Sequence, residues 1–358
     1  MRVIHVLNHI KKIGNGIVNV AVDLACLQAA LGYEVAVASA GGEYEQLLAR
    51  YGVKHFEFNQ EKKPINLIKA AWRYRAIAHE FQPNIVHAHM TAGIVIAKVL
   101  KANSKYKLVS TVHNEFQRNA ILMGWADRVI AVSKAVAQSM ISRGIPENKL
   151  RVVANGTLLS PRTRPIQDYQ AVSLQRPAIT TVAGMSQRKG IAELIDAFSQ
   201  LDVPDAHLYL VGNGPDKEIF ESQAQSTAAR DRIHFAGFQP EPQRYLLATD
   251  IFVLASHREP FGLVIPEARE AGCAIVASNV DGIPEALDNG QAGILVPPAD
   301  SKALAATLKQ LLTDSNLLQK WKDRAKQNLD WLKVSRVNQE TLAVYRELIP
   351  NPGDKTNL

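Results

Sequence analysis

Short apolar runs alternate with amphipathic helical stretches along the whole of this chain, and the alternation starts afresh once, after a proline-rich interruption. Arg2 to Asn8 reads as a strand. Ile17, Val20, Leu24, Leu27 and Leu31 then recur at spacings of three and four, an amphipathic helix stopped by Gly32. Apolar runs at Glu34 to Ser39, Val53 to Phe58, Asn84 to His89, Lys107 to Val112, Arg128 to Val132 and Leu150 to Ala154 alternate with helical stretches around Ile65 to Phe81, Thr91 to Lys101 and Lys134 to Arg143. Strands joined by crossover helices run parallel, so this order predicts a doubly wound α/β sheet.

From Asn155 to Pro177 the periodicity lapses, and Pro161, Pro165 and Pro177 stand among Gly, Ser, Arg and Gln. A second alternation opens at Ala178 to Gly184, with further strands near His207 to Val211, Ile233 to Ala236, Ile251 to Ala255, Ala274 to Ala277 and Gly293 to Val296. Helical patterns fill Asp300 to Leu332 and Val334 to Leu348. With 358 residues there is chain enough for two cores. The expected division is a Rossmann-like domain over residues 1–160, completed by the helix 334–349, a linker over 161–177, and a second Rossmann-like domain over 178–333. Ligands of doubly wound sheets bind beyond the carboxyl ends of the strands, so two such domains facing one another would form a cleft.

Charge and cysteine usage narrow the class. The net charge of +7 is uneven: residues 1–160 hold 20 Lys+Arg and 10 Asp+Glu, the remainder 21 and 24. The excess positive charge therefore sits in the first half, which suits an anionic partner. One concentration runs from Lys62 to Arg75, where Lys62, Lys63, Lys69, Arg73 and Arg75 share a helix with Ile65, Ile68 and Trp72. It suits an anionic membrane surface or an acidic glycan, or else is a solvated face with Ile65, Ile68 and Trp72 as core. Nucleic acid is disfavoured because no cluster of stacking aromatics accompanies the charge. Apolar stretches are broken by charge or glycine, as at Asp23, Gly32 and Glu34, and the chain opens as a strand, so neither a membrane span nor a secretory signal is expected. Cys26 and Cys273, two cysteines far apart, fit a reducing compartment and supply no zinc cluster. The expected location is cytoplasmic, with peripheral contact at the inner membrane face.

Three loops between a strand and a helix are candidates for chemistry. In Gly184-Met-Ser-Gln-Arg188-Lys189-Gly190 two cations precede a helix with apolar positions Ile191, Leu194, Ile195 and Phe198. Cations there are unfavourable unless an anion neutralises them, which points to phosphate, against a merely solvated basic turn. In Ser256-His-Arg-Glu259-Pro-Phe261-Gly262-Leu263-Val264-Ile-Pro266-Glu267, Gly262 permits close backbone approach and Pro266 requires that a helix is just beginning. Glu259 and Glu267 then flank one helix start, able to meet a sugar and a ribose diol around a diphosphate resting on the N–H groups of Gly262, Leu263 and Val264. The alternative makes Glu267 and Glu270 ordinary first-turn acids. The third loop, Lys11-Lys-Ile-Gly14-Asn15-Gly16, lacks the third glycine of a dinucleotide fingerprint, as does Gly212-Asn-Gly214, which disfavours a nicotinamide enzyme.

Histidines mark two strand ends. His87 and His89 share a strand face, yet without a third ligand nearby they do not call for a metal. His113, next to Asn114, is either functional or hydrogen-bonded to a loop carbonyl. No Asp-x-Asp triplet and no zinc spacing occurs, and no cofactor beyond a donor substrate is implied.

Taken together these segments resemble glycosyltransferase family 4, whose members have the GT-B architecture of two facing Rossmann-like domains. The resemblance rests on Glu259 and Glu267 with seven residues between, on Arg188-Lys189-Gly190, Gly212-Asn-Gly214-Pro215, Asp250-Ile-Phe-Val-Leu-Ala-Ser256, Gly282-Ile-Pro284-Glu285 and Gly293-Ile-Leu-Val-Pro297, and in the first half on Val86-His-Ala-His89, Thr111-Val-His113 and Asn155-Gly156. It implies retaining, metal-independent transfer of a hexose or N-acetylhexosamine from a nucleotide diphosphate sugar to an anionic glycan or lipid-linked acceptor. By the same resemblance Arg188 and Lys189 neutralise the leaving diphosphate, and Glu267 holds the ribose. Glu259, with backbone N–H groups from Phe261 to Val264, orients the sugar. Gly16 lets the first loop close over the phosphates, Gly184 belongs to the donor loop, and His113 contacts the donor sugar. Where the family has paired glycines this chain has Asn15-Gly16, a place where asparagine tolerates a left-handed conformation. His257-Arg258 are expected to help fix donor choice, and the last helix to pack on the first domain with closure about the crossing. A nucleotide-sugar epimerase or phosphorylase on the same fold, or a non-catalytic nucleotide-sugar-binding subunit, are the competing readings.

Overall fold

The computed structural model describes residues 1–60, 64–101 and 104–349. The chain divides into two compact units. One comprises Met1–Asn155, Leu159–Thr163 and the chain from Lys333 onward, the other Gly156–Leu158 and Arg164–Leu332.

Among the described residues the first unit is built on seven parallel strands: β1 (Arg2–Val6), β2 (Glu34–Ser39), β3 (Lys54–Glu57), β4 (Ile85–Ala88), β5 (Lys107–Val112), β6 (Arg128–Ala131) and β7 (Leu150–Val152). Their order is β3-β2-β1-β4-β5-β6-β7, so the direction of winding reverses between β1 and β4. Side chains alternate between two cores, as the two-residue period of a strand requires. Ala36 and Ala38 of β2 join Tyr74, Ile77, Ile94 and Met140 on one face. Val35 and Val37 meet Val18, Val22 and Cys26 of the helix Gly16–Ala30 on the other. The helix Val334–Leu348 buries Val337, Leu342 and Tyr345 in this unit, and its Glu347 accepts from Arg128 and Arg151 at 2.8 Å each.

The second unit repeats the plan with β8 (Ala178–Val182), β9 (His207–Val211), β10 (Ile233–Gly237), β11 (Ile251–Leu254), β12 (Ala274–Ser278) and β13 (Ile294–Val296), in the order β10-β9-β8-β11-β12-β13 and again parallel. Its winding reverses between β8 and β11. Ile191, Leu194, Ile195 and Phe198 form the buried stripe of the helix Ile191–Ser199, as their spacing predicts.

Of the expected linker, residues 161–163 belong to the first unit and 164–177 to the second. Asp23, buried in the first unit, accepts from Ser160 Oγ at 2.6 Å and from Arg162 at 2.8 and 2.9 Å. Arg164 pairs with Glu241 at 2.7 Å, and Val172 N donates to Arg244 O within the second unit. The helical pattern of 300–332 is broken at Asp314, which is extended and accepts from Leu317 N at 2.9 Å, so that Ser301–Thr313 ends and Ser315–Ala325 begins. Trp72 is 69% exposed, not core; Ala70, Tyr74 and Ile77 carry the buried face of the helix Pro64–Phe81. Lys62 and Lys63 lie outside the described residues. Both cysteines are buried and unpaired, and burial pushes each thiol up to about 12, which agrees with a packing role.

Candidate functional site

In the second unit the loops that leave β8 and β11, the two strands at the winding reversal, meet each other. The β8 loop closes a 3-10 turn, Gln187–Lys189, and enters the helix Ile191–Ser199 through Gly190. Glycine is required there twice over: its φ is +64°, and a Cβ would stand 1.9 Å from Ala255 O at the end of β11. This close approach lets the two loops share hydrogen bonds, with His257 N donating to Arg188 O at 2.9 Å and Arg188 Nη1 to Arg258 O at 2.6 Å.

The result is a buried carboxylate beside two cations. Glu259, 8% exposed, accepts from Lys189 Nζ at 2.5 Å and lies 3.8 Å from Arg188 Nη1. Its own N–H donates to Asp281 Oδ2 at 2.8 Å, and Arg258 Nε reaches both oxygens of Asp281 at 3.1 and 2.9 Å. Asp216 Oδ2 accepts from Gln187 N at 2.9 Å and so holds the turn that carries the cations. Neither Asp216 nor Asp281 is among the expected site residues, although each sits beside a segment that carries the family resemblance, Gly212-Asn-Gly214-Pro215 and Gly282-Ile-Pro284-Glu285.

Around this centre the other expected donor residues fall on the same two loops. Gly262 is left-handed at φ +85°, and the helix Val264–Glu270 starts directly after Leu263, with Pro266 in its first turn as that residue demands. Phe261 is buried, and Glu267 accepts from Thr157 Oγ1 at 3.4 Å. Gly184 is exposed, and a Cβ there would meet only Asn213 O at 3.9 Å, so packing within the protein does not demand glycine. His257 lies 2.9 Å from Glu193 and Arg258 is spent on Asp281, so both side chains brace the loop.

Gly16 and His113 belong to the first unit. Gly16 opens the helix Gly16–Ala30, and Asn15 is not left-handed: at φ −83° it caps the helix, accepting from Ile17 N at 3.0 Å. The left-handed residue of that loop is Gly14, at φ +70°. His113, just beyond β5, bonds to His89 and not to a loop carbonyl, with Nε2 3.0 Å from His89 Nδ1. Behind it stands a polar cluster on the sheet face opposite Val86 and Ala88. His5 and His87 are register partners on β1 and β4; His5 bonds to His89 at 2.9 Å and to Gln28 at 3.0 Å, and His87 to Tyr345 at 2.6 Å and Thr111 at 2.7 Å. Burial holds His5 down to about 4 and His113 to about 3, and lowers His87 and His89 well below the ordinary histidine value, with the neighbouring histidines adding to it. Nitrogens of His5, His87 and His89 lie within 4.8 Å of one another, and His5 is the third histidine that the sequence reading lacked. All six of their ring nitrogens already have hydrogen-bond partners.

Residues 14–159 match a family model described as Glycosyltransferase Family 4, and residues 166–328 one described as Glycosyl transferases group 1. The chain is 28% identical over 250 residues, 69% of its length and 70% of the relative's, to the lipopolysaccharide core biosynthesis glycosyltransferase LpsD of Rhizobium meliloti. It is 24% identical to the N,N'-diacetylbacillosaminyl-diphospho-undecaprenol alpha-1,3-N-acetylgalactosaminyltransferase of Campylobacter jejuni, covering 89% of this chain and 92% of that one. Among solved structures it superposes on HepE of Anabaena in complex with UDP-glucose with a TM-score of 0.81 at 21% identity, covering 96% of this chain and 99% of that one. WaaG, a glycosyltransferase involved in lipopolysaccharide biosynthesis, gives a TM-score of 0.76 at 14% identity, covering 98% and 100%. The chain therefore carries the two Rossmann-like domains of the GT-B fold and is a glycosyltransferase.

If Asp281 positions Glu259, then Asp281→Ala lowers the rate of sugar transfer by about 10²-fold, the loss that follows when a reacting geometry slips by about 1 Å. The urea midpoint stays near that of the wild type, and Asp281→Asn, which keeps an acceptor for Glu259 N–H, recovers most of the rate. Activity of Asp281→Ala within twofold of the wild type would overturn the assignment.

Proposed function

We propose that this GT-B glycosyltransferase moves a hexose or N-acetylhexosamine, with retention of configuration, from a nucleotide diphosphate sugar to a glycan or lipid-linked acceptor. The observation that carries the reading is the placement of Glu259, Lys189 and Arg188 together at the winding reversal of the second unit, where doubly wound sheets bind their ligands. Two cations against one carboxylate leave a net positive centre. An ammonium has three donors, so Lys189 can keep Glu259 while taking a phosphate oxygen, and Arg188 adds the second contact.

In the reaction the bond from the anomeric carbon to the diphosphate oxygen breaks and the bond to the acceptor oxygen forms on the same face. The acceptor proton passes to the departing phosphate oxygen, so no side-chain base is needed. Arg188 and Lys189 stabilise the charge that grows on the diphosphate, the electrostatic work a divalent ion does elsewhere. Glu259 lies where positive charge develops on the sugar, and backbone N–H groups of Phe261 to Val264 orient it. Glu267 accepts from the ribose hydroxyls, and the exposed Gly184 leaves room for the nucleotide. The solved relative holding UDP-glucose makes uridine diphosphate sugars the first donors to try.

The acceptor side rests on charge. Lys69, Trp72, Arg73 and Arg75 are all exposed along one helix, and an exposed tryptophan among cations suits the interface of an anionic membrane that presents a lipid-linked acceptor. No described helix is long and apolar enough to cross a membrane.

Two measurements follow. In thermal denaturation with uridine, guanosine and adenosine diphosphates and their sugars, one base series stabilises the protein, by about 2.7 kcal/mol at 100 times its dissociation constant. Lys189→Ala and Glu267→Ala remove that gain and turnover together; donor turnover near the wild-type level in both variants would sink the site. In vesicle sedimentation the wild type binds phosphatidylglycerol and not phosphatidylcholine. Trp72→Ser with Arg73→Glu and Arg75→Glu weakens binding at least tenfold, on the order of 1 kcal/mol per charge; unchanged binding would refute the contact.

A further inference from the structure

Among the described residues, Arg269 of the second unit is the largest side chain that is completely buried. A guanidinium loses its hydration on burial, and an apolar side chain of similar volume is often the cheaper filling, so its place in a core asks for a reason. All three of its nitrogens donate. Nε bonds to Ala325 O at 3.0 Å, Nη1 to Ala286 O at 2.6 Å, and Nη2 to Asp288 Oδ2 at 2.8 Å and to Gln327 O at 2.6 Å.

These bonds tie one helix to two others. Arg269 belongs to Val264–Glu270, Ala286 ends the helix Ile283–Ala286, and Ala325 ends Ser315–Ala325. Carbonyls at a helix end lack partners within the helix and carry the negative end of its dipole, so one cation caps both ends at once. The turns it grips are held in an uncommon shape. Asp288, Asn289 and Asn328 are left-handed at φ +50°, +56° and +53°, and Asn328 Nδ2 donates to Asp288 Oδ1 at 3.3 Å.

Two of the helices so joined hold the two carboxylates of the site. Val264–Glu270 carries Glu267. Ile283–Ala286 follows Asp281, which accepts from Glu259 N–H, and Gly282, whose N donates to Glu259 O at 3.1 Å. A Cβ at Gly282 would stand 2.0 Å from Pro260 O, so this segment has no room to slide along the Glu259 loop. Arg269 therefore fixes Glu267 relative to Glu259. Ile265, Pro266 and Ala268 bury the helix by contacts that have no direction, whereas the planar guanidinium sets its rotation. Glu267, two residues before Arg269, lies about 200° around the axis from it. At the radius of about 5–6 Å that a helix has with its side chains, a turn of about 10° moves the Glu267 carboxylate by about 1 Å.

We propose that Arg269 is a positioning residue: by locking the rotation of the helix Val264–Glu270 it aims the Glu267 carboxylate at the ribose diol of the donor nucleotide. Fully buried, it acts through Glu267 and not on the nucleotide itself. This role rests on the reading of Glu267 as the ribose contact. Loosening Arg269 weakens only the part of binding that the ribose hydroxyls supply, whereas a residue that merely stabilised the fold would leave the folded protein's preference for those hydroxyls intact.

Calorimetric titration of the full-length protein compares uridine diphosphate with its 2′,3′-dideoxy form, or the guanosine or adenosine pair if that base is the one that stabilises the protein. The wild type binds the dideoxy form about tenfold more weakly, the size of a lost hydrogen bond to a charged group. Arg269→Lys keeps the charge but not the planar fork. It binds the natural nucleotide about tenfold more weakly than the wild type does and the dideoxy form equally well, so the preference disappears. Asp288→Asn suits the left-handed turn and removes the charge opposite Arg269; it reduces the preference to about threefold and covers the case of an Arg269 variant that does not fold. A wild-type preference retained in full by Arg269→Lys, or by Asp288→Asn where only that variant folds, overturns the positioning role alone. Equal binding of the two nucleotides by the wild type overturns the ribose reading of Glu267, and the role of Arg269 with it.

Discussion

The carboxylate of Glu259 is the point on which the second unit's geometry depends. A buried charge is tolerated only when paired and hydrogen-bonded, and Glu259 is met by Lys189 and Arg188 from a different loop. Each loop therefore needs the other. The cations are carried on a turn pinned by Asp216, the carboxylate on a turn pinned by Asp281, and the close crossing of the two at Gly190 leaves no space for a side chain. Removing both cations would leave the Glu259 carboxylate buried without a charge partner, at the place where the β8 and β11 loops meet.

In the first unit the same reversal, between β1 and β4, is filled by a line of neutral polar side chains instead of an ion cluster. Parallel register sets His5 beside His87, and the helices Gly16–Ala30 and Val334–Leu348 supply Gln28 and Tyr345. One unit thus buries charged groups at its winding reversal and the other neutral polar side chains.

Much of this was legible in the residues. Period-two and period-3.6 patterns locate both sheets because their strands and helices are buried in the regular way, and Glu259, Arg188 and Lys189 mark the two loops that meet at the second unit's winding reversal. What the residues hid was partnership across distance. Asp281 reads as an ordinary loop acid until its contact with Glu259 N–H is seen, and His5 as one strand residue among its neighbours until β1 is set beside β4. Asn15 was expected to stand in for a glycine because the loop was read through paired glycines, whereas its side chain caps a helix and Gly14 takes the strained conformation. The break at Asp314 was invisible because capping competes with an uninterrupted apolar period. The residues leave Trp72 open between core and an exposed face, and the stripe Ala70, Tyr74 and Ile77 fills the buried face while Trp72 is exposed.

The central claim is that Arg188 and Lys189, balanced on Glu259, do the work on the leaving diphosphate. It is tested most directly by the initial rate of sugar transfer in excess chelator, compared with the rate after magnesium is restored. The account predicts that the two rates agree within about twofold, because fixed protein cations already stabilise the departing charge. Loss of transfer in chelator, recovered on adding magnesium, would contradict it.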